Sequence, residues 1–150
     1  MRVVIQRVTK AEVKVEGAII GACKLGLLIL AGVEEADTEE DASWLSAKIT
    51  NLRIFDDAEG KMNLSVKDVN GGMLVVSQFT LHASTQKGNR PSYLQAARPE
   101  KALPLFNTLV KLLEKELGKP VATGEFGAHM EVSLVNDGPV TIIIDTKNKQ

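Results

Sequence analysis

Short apolar runs separated by turn residues dominate the chain and predict more strands than helices. Each run alternates apolar and polar positions or is rich in Val, Ile and Leu without a helical period. The predicted strands cover residues 2–8, 11–15, 18–23, 27–33, 52–55, 73–76, 121–123, 130–135 and 140–146. Glu16-Gly17 predicts a hairpin turn between the second and third strands. The continuous apolar run 27–33 predicts a strand that is buried on both faces.

Two segments have apolar residues at helical spacing. In the first, Asp37 is expected to be the N-cap and Glu40 the partner residue of a capping box. The second is expected to begin near Pro99 and to end before Gly118. Two helices are too few to cover a parallel sheet on both faces. We therefore expect an α/β protein of three layers, β/β/α, with mixed, barrel-like sheets, and a frayed tail after residue 146.

Length and composition are those of an ordinary globular protein. The 150 residues predict one domain over 1–150, with 44% hydrophobic and 25% charged residues. The net charge of −1 argues against a general nucleic-acid-binding surface, so an RNA ligand would be contacted only locally. The N-terminal residues do not resemble a signal peptide, and no apolar run is long enough to span a membrane. We expect a soluble cytoplasmic protein without a membrane partner.

The segment Ser77-Gln78-Phe79-Thr80-Leu81 follows the predicted strand 73–76. Because side chains alternate across a strand, Gln78, Thr80 and His82 are expected to share one face. Three polar side chains on one face at the end of a buried strand predict the floor of a pocket. On the same pattern, Ser77 and Phe79 point the other way, so their backbone N–H groups are expected to matter more than their side chains.

A second polar segment, Asn136-Asp137-Gly138-Pro139-Val140-Thr141, lies between the last two predicted strands. Its residues favour a tight turn. Gly permits unusual backbone angles and Pro has no N–H, so the pair could also direct bare carbonyl groups at a ligand.

The chain lacks the common catalytic and metal-binding motifs. It has no G-x-S-x-G, no H-E-x-x-H and no C-x-x-C. Its only histidines are His82 and His129, and the single Cys23 is expected to be a buried, unreactive thiol. We expect neither a metal nor a cofactor. A hydrolase built from this chain would have to work by positioning and by backbone hydrogen-bond donors.

Together the two segments resemble the signatures SQFTL and NxGPxT of the D-aminoacyl-tRNA deacylases. The resemblance extends from Met1 to about Lys147 and includes the opening residues MRVVIQRV. It implies a homodimer that hydrolyses the ester between a D-amino acid and tRNA, with help from the 2′-hydroxyl of the substrate. It also implies that glycyl-tRNA is accepted, because Gly has no side chain to exclude.

The resemblance also implies roles for individual residues. Gly138 and Pro139 form a cis pair that enters the pocket of the partner subunit, holds the α-amino group and excludes the L-configuration. Arg7 anchors this pair, although a solvated cation at a strand edge is the alternative. Thr80 could contact substrate or water, act as a nucleophile, or only satisfy the backbone.

Other implied contacts surround the substrate. Gln78 would orient the ester or ribose, or would simply be a buried polar residue at a strand end. Ala102, Phe126 and Met130 would surround the terminal adenosine, where ordinary core packing is the alternative. Lys87 and Arg90 could meet tRNA phosphates, or could lie in a solvated loop.

Three rival functions remain open from the sequence. One is a non-catalytic protein that binds the 3′ end of tRNA. Another is a hydrolase for D-amino-acid esters or peptides that needs no RNA. The third is a purely structural dimer with a Gly-Pro turn at its interface.

Overall fold

The computed structural model describes residues 1–150 and contains a mixed six-stranded sheet, a two-stranded sheet and two α-helices. The strands are β1 (Arg2–Val15), β2 (Ala18–Cys23), β3 (Gly26–Gly32), β4 (Phe55–Asp56), β5 (Met62–Leu64), β6 (Gly72–Ser77), β7 (Ala122–Thr123) and β8 (Glu131–Asp145). The helices are α1 (Glu39–Asn51) and α2 (Pro99–Leu117), and a short 3₁₀ turn covers Phe79–His82.

Strand β1 organises the sheet. It pairs with β8 in antiparallel register from Arg2↔Asp145 to Lys14↔Glu131, and it also pairs with β3 and then β2. Parallel pairing joins β3 to β6 and β6 to β7. Strand β7 comes back close to β2, where a Cβ on Gly21 would lie 2.4 Å from the Thr123 carbonyl oxygen. The sheet is therefore nearly closed, and the predicted mixed, barrel-like fold with two main helices is confirmed.

Alternating side chains of the buried strands divide the core in two. Leu27 and Ile29 of β3 face the larger cluster, which includes apolar residues of both helices, whereas Leu28 faces a smaller cluster. The smaller cluster consists of Val8, Ala11, Val13, Leu28, Leu74 and Val76. The prediction that the third strand is buried on both faces is thus confirmed.

Helix α1 begins one residue later than the sequence predicted. Thr38 is the N-cap, and its backbone N–H donates to Asp41 Oδ2 at 2.8 Å. Asp37 is buried instead, where it accepts hydrogen bonds from the Met1 ammonium group and from Glu34 N. The prediction of Asp37 as cap was wrong because a tertiary ion pair engages its carboxylate.

The remaining elements follow the predicted pattern with small shifts. The Glu16-Gly17 turn, Pro99 at the first helical position and Gly118 after the end of α2 are all confirmed. The strand predicted at 52–55 is only the short β4, which pairs with β5. The tail is not frayed at Lys147, whose ammonium group lies 3.2 Å from Ala36 O and 3.1 Å from Asp41 Oδ2. Neither α1 nor α2 is long and apolar enough to cross a membrane.

Asp41 makes the stability of the fold sensitive to acid. Burial opposes its ionisation, but hydrogen bonds from Thr146, Thr38 and Lys147 outweigh burial and hold the pKa of Asp41 well below its usual range. Since an unfolded Asp titrates near pH 4, the ionised carboxylate stabilises the fold above that pH, and the contribution is lost as the pH falls further.

We expect the unfolding temperature to fall more steeply below about pH 4 in the unmodified protein than in Asp41→Asn, which lacks this titration. Calorimetry between about pH 2 and 7 measures both curves. Glu59→Gln, which changes a well-exposed carboxylate, is the matched control and should keep the steep acid limb. Parallel curves for Asp41→Asn and the unmodified protein would contradict this assignment.

Candidate functional site

The segment Ser77–Leu81 does not continue as a strand. Strand β6 ends at Ser77, and the 3₁₀ turn begins at Phe79. Side-chain alternation therefore stops, so the predicted common face of Gln78, Thr80 and His82 is wrong as a whole. Gln78 and Thr80 nevertheless meet, because the Gln78 Nε2 amide donates to Thr80 Oγ1.

Phe79 and His82, at the two ends of the turn, differ sharply in burial. The Phe79 side chain is 57% exposed, whereas His82 is 1% exposed and points into the protein. Both imidazole nitrogens of His82 lack a hydrogen-bond partner within the chain, and Glu34 lies 3.7 Å from Nδ1. His82 makes no hydrogen bond to Thr80, so the structure contains no His–Thr pair of the kind that activates a nucleophile.

Three contacts fix the position of the turn. Gln78 N donates to Ala31 O at 2.8 Å, and Arg2 Nη1 donates to Leu81 O at 2.7 Å. Gly32 supplies the space beneath the turn, since a Cβ there would lie 2.9 Å from the Gln78 carbonyl oxygen. The position of Gln78 and Thr80 thus depends on a glycine in the neighbouring strand β3.

We expect Gly32→Ala to lower kcat/KM for D-aminoacyl-tRNA, the substrate that the sequence resemblance implies, by about 10- to 100-fold. The reason is that the backbone at Gln78 must shift away from the new methyl group. Overpacking should also cost about 1–3 kcal/mol of unfolding free energy. Steady-state kinetics and urea unfolding measure the two effects. Gly72→Ala is the matched control, since its Cβ would lie 3.3 Å from Cys23 Cβ, away from the turn. Unchanged kinetics in a folded Gly32→Ala protein would contradict this role.

A cavity of about 560 Å³ opens beside the turn. Ser77, Gln78 and Phe79 line it from the β6 side. Ala102 of α2 lines it as well, as do Phe126 and Met130 from the segment that precedes β8. Six residues singled out in the sequence are therefore brought together in one largely apolar cavity, whereas Thr80 does not line it and contacts Gln78 instead.

The cavity has further lining residues that sequence reasoning missed. They include Tyr93, Arg98, Pro99, Phe106 and His129. Phe106 lies on the buried face of α2, and its ring lies 6.0 Å from that of Phe126. Tyr93 and His129 occupy polar segments where no periodic pattern marks a buried or ligand-facing side chain, so the sequence carried no signal for them.

Gly138 and Pro139 do not line this cavity. The tight turn predicted at this position is wrong, because β8 runs through it and remains paired with β1 on both sides. The register shifts near Val8, so the segment is a bulge, and the Gly138–Pro139 peptide bond is cis. Asn136 spans the bulge: its side chain accepts from Val140 N at 2.7 Å and donates to Val140 O at 3.2 Å.

The bulge leaves both residues exposed to solvent. Gly138 has φ +146°, and a Cβ there would lie 2.8 Å from Val140 Cγ2. Only glycine fits this position without displacing the backbone.

Arg7 lies behind the bulge with its side chain buried. Its Nε donates to Asp137 O at 2.8 Å, and its Nη1 donates to Ile54 O at 2.8 Å. The carboxylates of Asp56 and Asp137 each lie 3.5 Å from the guanidinium group. Arg7 is thus not a solvated cation at a strand edge, and it fixes the residue directly before Gly138.

Lys87 and Arg90 lie in an exposed loop outside the cavity. Backbone hydrogen bonds of 2.8 and 2.9 Å between Ser84 and Ser92 close the loop. Burial raises the pKa of the Cys23 thiol, which disfavours the reactive thiolate form. The chain has no group of three His, Cys, Asp or Glu side chains arranged to hold a metal ion.

The family model and the similar sequences point to one family. A family model described as D-Tyr-tRNA(Tyr) deacylase matches residues 4–145. Proteins named D-aminoacyl-tRNA deacylase from Flavobacterium psychrophilum, Akkermansia muciniphila and Porphyromonas gingivalis are each 61% identical over 150 residues, which is 100% of both chains.

Two solved structures share the fold over nearly the whole chain. A structure titled c-Myc DNA Unwinding Element Binding Protein is 41% identical, with a TM-score of 0.89 over 97% of this chain and 98% of that one. A probable eukaryotic D-amino acid tRNA deacylase, 16% identical, shares the fold with a TM-score of 0.82 over 95% of this chain and 97% of that one. The extent of these matches, together with the SQFTL turn and the Gly-Pro bulge, shows that the chain belongs to the D-aminoacyl-tRNA deacylase family.

Proposed function

We propose that this protein hydrolyses the ester bond of D-aminoacyl-tRNA and releases the free D-amino acid and tRNA in the cytoplasm. The observation that carries the proposal is a cavity in which Ser77, Gln78 and Phe79 of the SQFTL turn meet Ala102, Phe126 and Met130. Its volume of about 560 Å³ is that of a small-molecule site. It suits the aminoacylated terminal adenosine rather than a longer stretch of RNA.

The apolar part of the cavity is suited to the adenine base. Phe126 offers an aromatic surface, Met130 a polarisable thioether, and Ala102 a small side chain that leaves room for a flat ring. With adenine held there, the ribose and the ester would lie toward Ser77, Gln78 and Phe79. We infer that this end of the cavity is where hydrolysis occurs.

The chemistry depends on positioning. The Thr80 hydroxyl already accepts a hydrogen bond from Gln78, and no base takes its proton. This arrangement disfavours Thr80 as a nucleophile and leaves its proton free to donate to substrate or water. Backbone N–H groups at the start of the turn, at Phe79 and Thr80, could stabilise the developing oxyanion, each by about 3 kcal/mol. The 2′-hydroxyl next to the ester then assists the attacking water.

Chiral selection is assigned to Gly138 and Pro139 of a partner subunit. Both residues are exposed and lie outside the cavity of their own chain, so they are available to a second copy. Strand β8 also exposes Val135 and Ile143 on either side of the bulge, as expected of a surface that a homodimer covers. Arg7 would hold the Gly-Pro carbonyls in position through its bond to Asp137 O.

Recognition by backbone carbonyls explains how the site could detect handedness and ignore side-chain identity. The carbonyls would bind the α-amino group that every amino acid carries, and the Gly-Pro bulk would exclude an L side chain. Glycine has no side chain to exclude, so glycyl-tRNA should also be hydrolysed. The protein would thereby act in chiral proofreading during translation.

A single-turnover assay with matched D- and L-aminoacyl-tRNA tests the function. The D-ester should be cleaved and the L-ester spared. The variant Gln78→Ala/Thr80→Ala should lose activity, while Thr85→Ala/Gln86→Ala, which changes the same residue types outside the cavity, should retain it.

The assay also separates the rival functions. A protein that only binds the tRNA end would leave the D-ester intact and still bind it. A hydrolase without an RNA requirement would cleave a D-amino-acid ester that lacks adenosine at a comparable rate. A purely structural dimer would do neither.

A further inference from the structure

Two exposed aromatic side chains lie at the edge of the cavity. Phe79 is 57% exposed and Tyr93 is 40% exposed, although both line the cavity. Their ring centroids are 5.1 Å apart with an interplanar angle of 73°, which is edge-to-face packing. The pair therefore holds an aromatic surface open to solvent beside the site proposed for the terminal adenosine.

The surrounding segment has a local charge that differs from that of the whole chain. From Val69 to Pro99 the sequence has no Asp or Glu, yet it contains Lys87, Arg90 and Arg98. None of these three cations forms an ion pair, and Arg98 lines the cavity. In a chain of net charge −1, the segment that contains Tyr93 thus has three cations and no carboxylate of its own, and the carboxylate of Glu35 accepts from Arg98 N at 3.2 Å.

We propose that Phe79 and Tyr93 form a stacking site for the base of the nucleotide that precedes the terminal adenosine of the substrate. The proposal rests on the proposed function, which places that adenosine in the adjoining cavity. Exposed aromatic rings beside unpaired cations are the features that proteins use to bind single-stranded nucleic acid. Stacking tolerates any base, because every base offers a π face.

Charge favours RNA over a second copy of the chain as the occupant of this surface. A single strand that leaves the cavity brings one phosphate per nucleotide, which complements Lys87, Arg90 and Arg98. A second subunit would have to bury these cations against matching carboxylates.

The test uses three stable analogues in which an amide replaces the ester: D-tyrosyl-adenosine, D-tyrosyl-CpA, and the same dinucleotide with an abasic site in place of cytosine. The two dinucleotides carry the same phosphate, so the ratio of their Kd values measures the contribution of the cytosine base to binding. We expect CpA to bind about tenfold more tightly than the abasic analogue, within the roughly 5- to 150-fold that base stacking provides. Calorimetry with the unmodified protein measures all three Kd values.

Variants at Tyr93 test which side chain provides the surface. Tyr93→Ala should reduce the ratio of the Kd of the abasic analogue to the Kd of the CpA analogue to about two or less, and Tyr93→Phe should preserve the tenfold ratio. Leu94→Ala is the matched control, because Leu94 is adjacent and 92% exposed but does not line the cavity. It should leave the ratio unchanged.

Two results would overturn the proposal. One is equal affinity of the unmodified protein for CpA and the abasic analogue. The other is a Tyr93→Ala protein that becomes monomeric in sedimentation and loses affinity for all three analogues equally, which would assign the aromatic pair to a subunit interface. The analogues are not hydrolysed, so failure of deacylation in the separate ester assay concerns the proposed function alone.

Discussion

Mixing two inactive variants should restore about one quarter of the deacylase activity of the unmodified protein. The first variant is Gln78→Ala/Thr80→Ala, which removes the amide of Gln78 that lines the cavity and the Thr80 hydroxyl that this amide contacts. The second is Gly138→Ala, in which the new Cβ would lie 2.8 Å from Val140 Cγ2 and 2.9 Å from Val140 N, so the bulge must move. If one subunit's bulge completes the other subunit's cavity, each mixed dimer has one site with both defects and one intact site.

The expected level follows from the statistics of exchange. Random exchange makes half of the dimers mixed, and each mixed dimer has one intact site of two, which gives about one quarter. The measurement is the rate of D-aminoacyl-tRNA hydrolysis after exchange, with differently tagged subunits to prove that mixed dimers form. Each variant exchanged with itself is the control. If mixed dimers form and activity stays at the background of the separate variants, the sites lie within single chains.

Removing the 2′-hydroxyl of the substrate should cost more activity than removing the hydroxyl of Thr80. We expect a D-aminoacyl-tRNA with a 2′-deoxy terminal adenosine to be cleaved about 100- to 10,000-fold more slowly, the range for loss of a group that assists proton transfer. Thr80→Ala should slow cleavage of the normal substrate only about tenfold, as expected for one hydrogen bond. The reason is that Thr80 accepts from Gln78 and has no base beside it.

Two single-turnover rates decide between assistance by the substrate and a Thr80 nucleophile. One is that of the unmodified protein on the deoxy substrate, and the other is that of Thr80→Ala on the normal substrate. Thr85→Ala, an exposed threonine outside the cavity, should behave like the unmodified protein. Normal cleavage of the deoxy substrate together with complete loss of activity in Thr80→Ala would establish Thr80 as the nucleophile and refute assistance by the substrate.

Local patterns were enough to predict much of this fold. The apolar run 27–33 and the Glu16-Gly17 turn are determined by residues close in sequence, and the structure contains both. The cavity residues Ala102, Phe126 and Met130 carried no local signal of a shared site. They were grouped only through the resemblance, because their proximity depends on how α2 and the segment before β8 pack.

The wrong predictions have tertiary causes. The residues of the Asn136–Thr141 segment favour a turn, but pairing with β1 keeps β8 extended and converts the segment into a bulge. Asp37 has a side chain suited to capping, but it is used by the Met1 ammonium group. The alternation predicted for Gln78, Thr80 and His82 failed because the chain leaves the strand after Ser77 and enters a 3₁₀ turn, in which Leu81 N donates to Gln78 O at 3.3 Å.

The pairing of β1 with β8 has a consequence for synthesis of the chain on the ribosome. Strand β1 is complete at Val15, but the partner along one of its edges spans residues 131–145. At roughly 5–20 residues per second, that edge stays unpaired for about 6–23 s during translation. Unpaired strand edges can join other chains. The edge of β1 in the nascent protein is therefore open to pairing with other chains until β8 has been made, and rapid translation of residues 16–131 would shorten that interval.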